Sequence, residues 1–127
     1  MKALVVYYSE TGNTEKVAEA IASGLRTVAK RLDEEDAEFV VIGTPVHGGE
    51  PVEQVMDFIK KTAAKKAAVF WTCAENPGDT PEILERELRK RGIEVVGKLD
   101  IRVGRRPPTE DHLKRSKEFG ESLLSRI

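Results

Sequence analysis

VVYYSETGNTEK, residues 5–16, decides how the rest of the chain is read. An apolar run stops at Ser9, and a charged, periodic segment takes over shortly afterwards. Between them the hydroxyls of Ser9, Thr11 and Thr14 cluster around Gly12, with no lysine inside the loop. A strand that ends this way and runs into a helix presents unpaired N–H groups and about half a positive charge to a ligand. The hydroxyls add donors, and Gly12 permits close backbone approach or positive φ. A G-x-x-x-x-G-K-[ST] loop built around a terminal phosphate and magnesium needs another spacing and a lysine, and both are missing. The stretch reads either as a holder of phosphate or as an ordinary capped helix start, because Ser, Thr and Asn are common caps.

Outward from it, short apolar runs alternate with amphipathic segments. ALVVYY (3–8), FVVIG (39–43), AAVFWTC (67–73) and IEVVGKLDIRV (93–103) have strand length. The first three are almost continuously apolar, as strands covered on both faces are. Val17, Ile21, Leu25 and Val28 recur at helical spacing, as do Val52, Val55, Met56 and Ile59 behind Pro51, taken as a first-turn residue. Pro81 opens a third helix, with Leu84 and Leu88 inward and Gly92 as its stop. Thr109 caps a fourth, along which Phe119, Leu123 and Ile127 sit four apart. RTVAKRL (26–32) reads as a short edge strand, or as the end of a first helix running on to Leu32. DEEDAE (33–38) makes at most one helical turn. Alternation of this kind predicts a three-layer, doubly wound α/β sandwich around a five-stranded parallel sheet, with its second strand and helix cut down.

At 127 residues the chain is expected to be a single domain, 1–127. Its 39% hydrophobic and 34% charged residues describe a globular protein. A net charge of −1 gives no global field to attract nucleic acid or an anionic membrane. No apolar run nears the ~20 residues of a membrane span. Cys73, the single cysteine, excludes an intramolecular disulfide and a cysteine-based zinc cluster, which suits a cytoplasmic location. No catalytic or metal-binding constellation is visible.

In a doubly wound sheet, ligands bind beyond the carboxyl ends of the strands. The segments there are SETGNT, TPVHGGEP, TCAENPGDTP and GRRPPTED. SETGNT after an apolar strand resembles the FMN phosphate loop of the flavodoxins, with its T/S-x-T-G-x-T pattern. VVIGTPVHGGEPVEQVMDFI is similar to that family's second flavin loop, and residues 92–123 resemble its last strand and helix. The resemblance covers essentially the whole chain. It implies a 2-1-3-4-5 strand order and an FMN cofactor. Ser9, Thr11, Asn13 and Thr14, with the backbone at Glu10 and Gly12, would wrap the phosphate. Thr44, Pro45, Val46, His47, Gly48 and Gly49 would meet one edge and face of the flavin ring. Thr72, Cys73, Ala74, Glu75, Asn76, Gly78 and Asp79 would border the other side.

The departures from the family pattern concern the ring. His47 stands where a Trp or Tyr is common, and the third loop holds no aromatic residue. His47 either stacks on the ring or is a solvent-exposed loop residue. Trp71 lies inside a strand and reads as core. Cys73 either approaches the ring edge or is a small buried hydrophobe. Weak stacking implies looser FMN binding or a more exposed ring. Glu50, Glu75, Asp79 and Glu82 lie in or beside these loops. A carboxylate about 10 Å from the ring, at an effective dielectric near 20, opposes added negative charge by roughly 1–2 kcal/mol. That corresponds to about 60 mV for one electron and suits a low-potential carrier. Arg105 and Arg106 either meet an acidic partner or balance local acids, the acids at 33–38 form a solvated face or a docking patch, and His112 is expected in solvent.

The expected function is that of a low-potential electron carrier working between redox partner proteins, as a monomer or weak dimer. The alternatives are a small FMN-dependent oxidoreductase (quinone, NAD(P)H-linked or protoporphyrinogen-type) and a flavin-free interaction domain of the same fold.

Overall fold

In the computed structural model, residues 2–32 and 36–127 are described. The strands are β1 (Ala3–Tyr7), β2 (Ala29–Arg31), β3 (Phe39–His47), β4 (Glu50–Pro51), β5 (Lys66–Cys73) and β6 (Glu94–Arg102). The helices are α1 (Asn13–Leu25), α2 (Glu53–Lys61), α3 (Thr80–Lys90) and α4 (Glu110–Leu123), the last followed by a 3-10 turn. The sheet runs β2-β1-β3-β5-β6, parallel throughout, and the two-residue β4 pairs antiparallel with the end of β3. This is the predicted five-stranded order with a three-residue second strand.

Each main strand divides its side chains between two cores. Leu4, Val6, Val40, Ile42, Val69 and Trp71 face α2 and α3, where Val55, Ile59, Leu84 and Leu88 meet them. Val5, Val41, Phe39, Phe70 and Ile101 face the other way, onto Val17, Ile21 and Leu25 of α1 and Leu123 of α4. Burial on both faces explains the near-continuous apolar runs. Gly43 leaves room for the Phe70 ring, since a Cβ there would lie 2.0 Å from its tip. Trp71 is core, as expected, at 4% exposure.

Helices α1 and α4 touch backbone to backbone. A Cβ on Gly24 would lie 2.0 Å from the Lys117 carbonyl oxygen, and one on Gly120 would lie 2.1 Å from that of Ile21. Arg26 then turns left-handed at φ 62° and ends α1. The alternative of a helix continuing to Leu32 is therefore wrong, and Val28 is no part of the helical stripe: it lies past the turn, 54% exposed.

Three further expectations are corrected. Pro51 belongs to β4, and α2 begins at Glu53 behind Val52, because the chain first turns back on β3. His112 is half-buried and forms a capping box: Thr109 N–H donates to its Nδ1 at 3.0 Å, and its own N–H donates to Thr109 Oγ1 at 3.2 Å. Ile127 lies beyond α4 and is exposed, while Leu124 packs instead. Of the acidic stretch 33–38, residues 33–35 lie outside the described residues. Asp36 accepts from Thr62 Oγ1 at 2.6 Å and from the N–H groups of Ala63 and Ala37 at 2.8 Å each. Burial pushes its carboxyl up, and these bonds outweigh that and hold it below the ordinary value. Arg91 completes the fastening of α2 by donating to the carbonyls of Ile59 and Thr62.

Gly120→Ala should force α1 and α4 apart. The expected cost is about 1–3 kcal/mol, the usual penalty of overpacking, read as a lower urea midpoint with unchanged slope.

Candidate functional site

Because β1, β3, β5 and β6 are parallel, the loops that follow them converge at the carboxyl end of the sheet. After β1, Gly12 takes φ 94° and serves as N-cap of α1. Ser9 Oγ closes the loop by accepting from Gly12 N–H at 3.1 Å and Glu15 N–H at 3.3 Å. The first-turn N–H groups of Asn13 and Thr14 find no acceptor among the described residues. The side chains of these two residues are engaged elsewhere. Thr14 Oγ1 lies 2.7 Å from Thr72 Oγ1, both buried, so the pair locks α1 to the end of β5. Asn13 Nδ2 donates to the Arg106 carbonyl at 3.4 Å. Thr11 and Glu10 are exposed at the rim.

The second loop is a β-hairpin. Thr44 is fully buried; its Oγ1 accepts from Val52 N–H at 3.1 Å and donates to the Pro45 carbonyl at 2.7 Å. Pro45 and Val46 then line a cleft, and His47 pairs with Glu50 across a two-residue turn. That turn is Gly48–Gly49, with φ 60° and 78°, the positive pair that a primed hairpin turn demands. The His47 imidazole reaches sideways, with Nε2 at 2.7 Å from Glu10 Oε1.

In the third loop, Thr72 and Cys73 are buried and Ala74, Glu75, Asn76, Gly78 and Asp79 are exposed. Asn76 Oδ1 accepts from Gly78 N–H, and Asp79 N–H crosses to the Gly49 carbonyl, each at 2.8 Å. Val103 and Gly104 continue β6 by bonding the carbonyls of Cys73 and Ala74, which brings the 104–106 segment alongside. Burial, then the Asp100 carboxylate, push the Cys73 thiol up to about 11, against the opposing Arg102. Its Sγ lies 3.8 Å from Asp100 Oδ1.

These loops enclose two connected recesses. One of about 160 Å³ runs from Thr11, Asn13 and Thr14 to Pro45, Val46, Thr72 and Val103. The other, about 480 Å³, lies between Gly48 and Gly49 on one side and Ala74, Glu75 and Asn76 on the other, with Arg105 at its mouth. The Glu10–His47 pair separates the first from a groove of about 480 Å³ floored by Tyr8, Pro51 and Met56 and edged by Glu50, Asp57 and Lys60. Of the residues expected from sequence, Ser9, Gly12, Thr44, Gly78 and Asp79 stand back from these recesses as supports, and the others line them. The Thr14–Thr72 pair, Val103 and the groove at Tyr8 and Met56 were not expected. Thr72 and Val103 are apolar-run residues in sequence, and their roles arise only from strand register.

A flavodoxin-domain family model matches residues 4–89, and the chain belongs to that family. Among its relatives, an uncharacterised protein of Methanocaldococcus jannaschii is 28% identical over 148 residues, covering 98% of this chain and 99% of the relative. A flavodoxin of Clostridium beijerinckii is 28% identical over 109 residues, covering 72% of this chain and 79% of that one. Among solved structures, oxidised flavodoxin 2 from Bacillus cereus superposes with a TM-score of 0.77 at 25% identity, covering 100% of both chains. Among the described residues no helix is long and apolar enough to cross a membrane.

The Cys73 thiol should stay protonated near neutrality. Alkylation by iodoacetamide at pH 8 should be on the order of a hundredfold slower than for a free cysteine. The rate should keep climbing toward pH 11, where an ordinary thiol has levelled off. Since the folded chain holds this proton more tightly than the unfolded one, stability should fall as pH rises from about 9 to about 11.

Proposed function

We propose that this chain binds FMN in the paired recesses and carries electrons between redox proteins. The observation that carries the reading is the start of α1. The first-turn N–H groups of Asn13 and Thr14 are unpartnered among the described residues, and these residues line a recess between the second and third loops. The donor set fits a phosphate monoester: backbone amides and the exposed Thr11 hydroxyl at a helix N-terminus, with no lysine to promote its cleavage. The neighbouring walls fit a flat ring by their lack of bulk. Pro45, Val46, Ala74 and glycine backbone contribute to them, with Cys73, Glu75, Asn76 and Arg105, and no Trp, Tyr or Phe lines either recess.

Each part of the site then has a task. Ser9 holds the Gly12 and Glu15 amides in the loop that receives the phosphate. The Thr14–Thr72 pair keeps that loop in register with the strand beneath the ring. Glu75 lines the larger recess, with Glu50 on the adjoining groove and Asp79 exposed beside the Gly49 contact; these carboxylates oppose negative charge arriving there, which favours a low potential. Flavin supplies the redox chemistry when bound; the chain supplies binding, orientation and field. The reading takes residues 1–127 as one unit acting as a carrier.

The direct test is whether the protein purifies yellow and which flavin is released on denaturation. FMN, one per chain, is the expected result, with turnover of nicotinamide donors and quinones no faster than with free FMN. A colourless protein that ignores added FMN would overturn the reading, and rapid quinone turnover would replace the carrier with an enzyme. Ser9→Ala should weaken FMN by about five- to tenfold, the usual cost of a lost hydrogen bond, and leave riboflavin affinity unchanged. Parallel titrations of both flavins check this.

A further inference from the structure

The second and third loops meet at one point, and the contact is backbone on backbone. A Cβ built on Gly78 would lie 2.4 Å from Gly49 Cα and 2.7 Å from its carbonyl oxygen. The Asp79 N–H closes the same contact by donating to that oxygen at 2.8 Å. Both glycines have positive φ, 78° at Gly49 and 59° at Gly78, and Gly78 is required twice over, by its φ and by the close approach. Asn76 holds the approach by accepting from Gly78 N–H. The larger recess lies between the arms of this clasp.

Beyond the β3–β5 ladder, which ends at the Pro45–Thr72 pair, the described residues show no other hydrogen bond between the two loops. The other link from the hairpin, His47 to Glu10, joins side chains about half exposed and leads to the first loop. Exposed side-chain contacts of that kind contribute little. Neither loop offers a Trp, Tyr or Phe that could grip a ring, the His47 imidazole is directed to Glu10, and Trp71 is committed to the core on the α2 and α3 side. Past the end of the β3–β5 ladder, the separation of the walls is therefore set by the glycine contact.

We propose that the Gly49–Gly78 clasp, sealed by the Asp79 amide, is the positioning element of the ring-binding half of the site. Gly78 determines how tightly the flat ring is held, and the phosphate end is indifferent to it. The proposal rests on the FMN reading above and adds the residue that substitutes for aromatic stacking.

The test uses Gly78→Ala, with Gly92→Ala as control. Gly92 has a comparable φ of 73°, but a Cβ there meets nothing within 4 Å, so it carries the backbone strain without the clash. In the flavin-free protein, amide hydrogen exchange at Asp79 should speed up by at least about tenfold in Gly78→Ala, as expected for a released hydrogen bond. Exchange in β3 and β5 should not change, and Gly92→Ala should leave Asp79 protected. Gly78→Ala should weaken FMN and riboflavin by the same factor, about tenfold, because they share the ring. Inorganic phosphate should compete with FMN as in the wild type. Asp79→Pro removes the donor by a different route and should reproduce the loss if Gly78→Ala fails to fold.

Unchanged Asp79 exchange, or unchanged riboflavin affinity in a folded variant, would overturn the clasp and leave the FMN reading standing. A loss for FMN alone would also overturn it by placing the effect at the phosphate. Failure of the wild type to bind any flavin would overturn the FMN reading itself and the clasp's role with it.

Discussion

Covering both faces of a parallel sheet is the constraint from which the other features follow. Val5, Val6, Val40, Val41, Ile42, Val69 and Phe70 are fully buried, so helices must lie on both sides. Parallel strands can be joined only by crossovers that return to the same end of the sheet. The loops after β1, β3, β5 and β6 then have no choice but to gather at the carboxyl end of the sheet. Backbone contact between α1 and α4 at Gly24 and Gly120 fixes how closely these two helices pack on their face of the sheet. The Thr14–Thr72 pair fastens that loop to the sheet, at a point where two buried hydroxyls satisfy each other.

The two ends of the resulting site are built on different principles. At the start of α1, a few backbone amides converge, and side chains serve mainly to hold them. Ser9 organises the turn, Asn13 fixes the neighbouring loop through Arg106, and Thr14 faces inward. At the other end, glycines and small residues leave space, and a backbone clasp fixes its width. The lack of an aromatic in the third loop and the pairing of His47 with Glu10 belong to one design, in which the hairpin is braced against its neighbours from both sides.

What was legible in the sequence was what depends on local period and local chemistry. The apolar runs showed doubly buried strands, and the helical stripes at Val17, Val55, Leu84 and Leu123 showed the inward faces. The hydroxyl cluster at 9–14 marked the helix start, and Pro81 and Gly92 punctuated α3. Errors arose where a non-local contact overrode a local signal. Arg26 stops α1 in a left-handed conformation that glycine usually supplies, so Val28 looked helical. Pro51 resembled a helix opener because its partner, Val46, lies across a turn that periodicity does not encode. The Thr14–Thr72 pair spans 58 residues, and Gly78 gains its meaning only beside Gly49. Such contacts depend on strand register, and no single segment carries that information.

The central claim is that the first turn of α1 receives a phosphate whose attached ring lies between the second and third loops. Titrating the flavin-free protein with FMN while following backbone amide resonances tests it most directly. The account predicts saturable shifts that are largest at Asn13 and Thr14, with a second group at Gly48, Gly49, Ala74 and Glu75. No saturable change would contradict it, as would shifts confined to the groove at Tyr8, Met56 and Lys60.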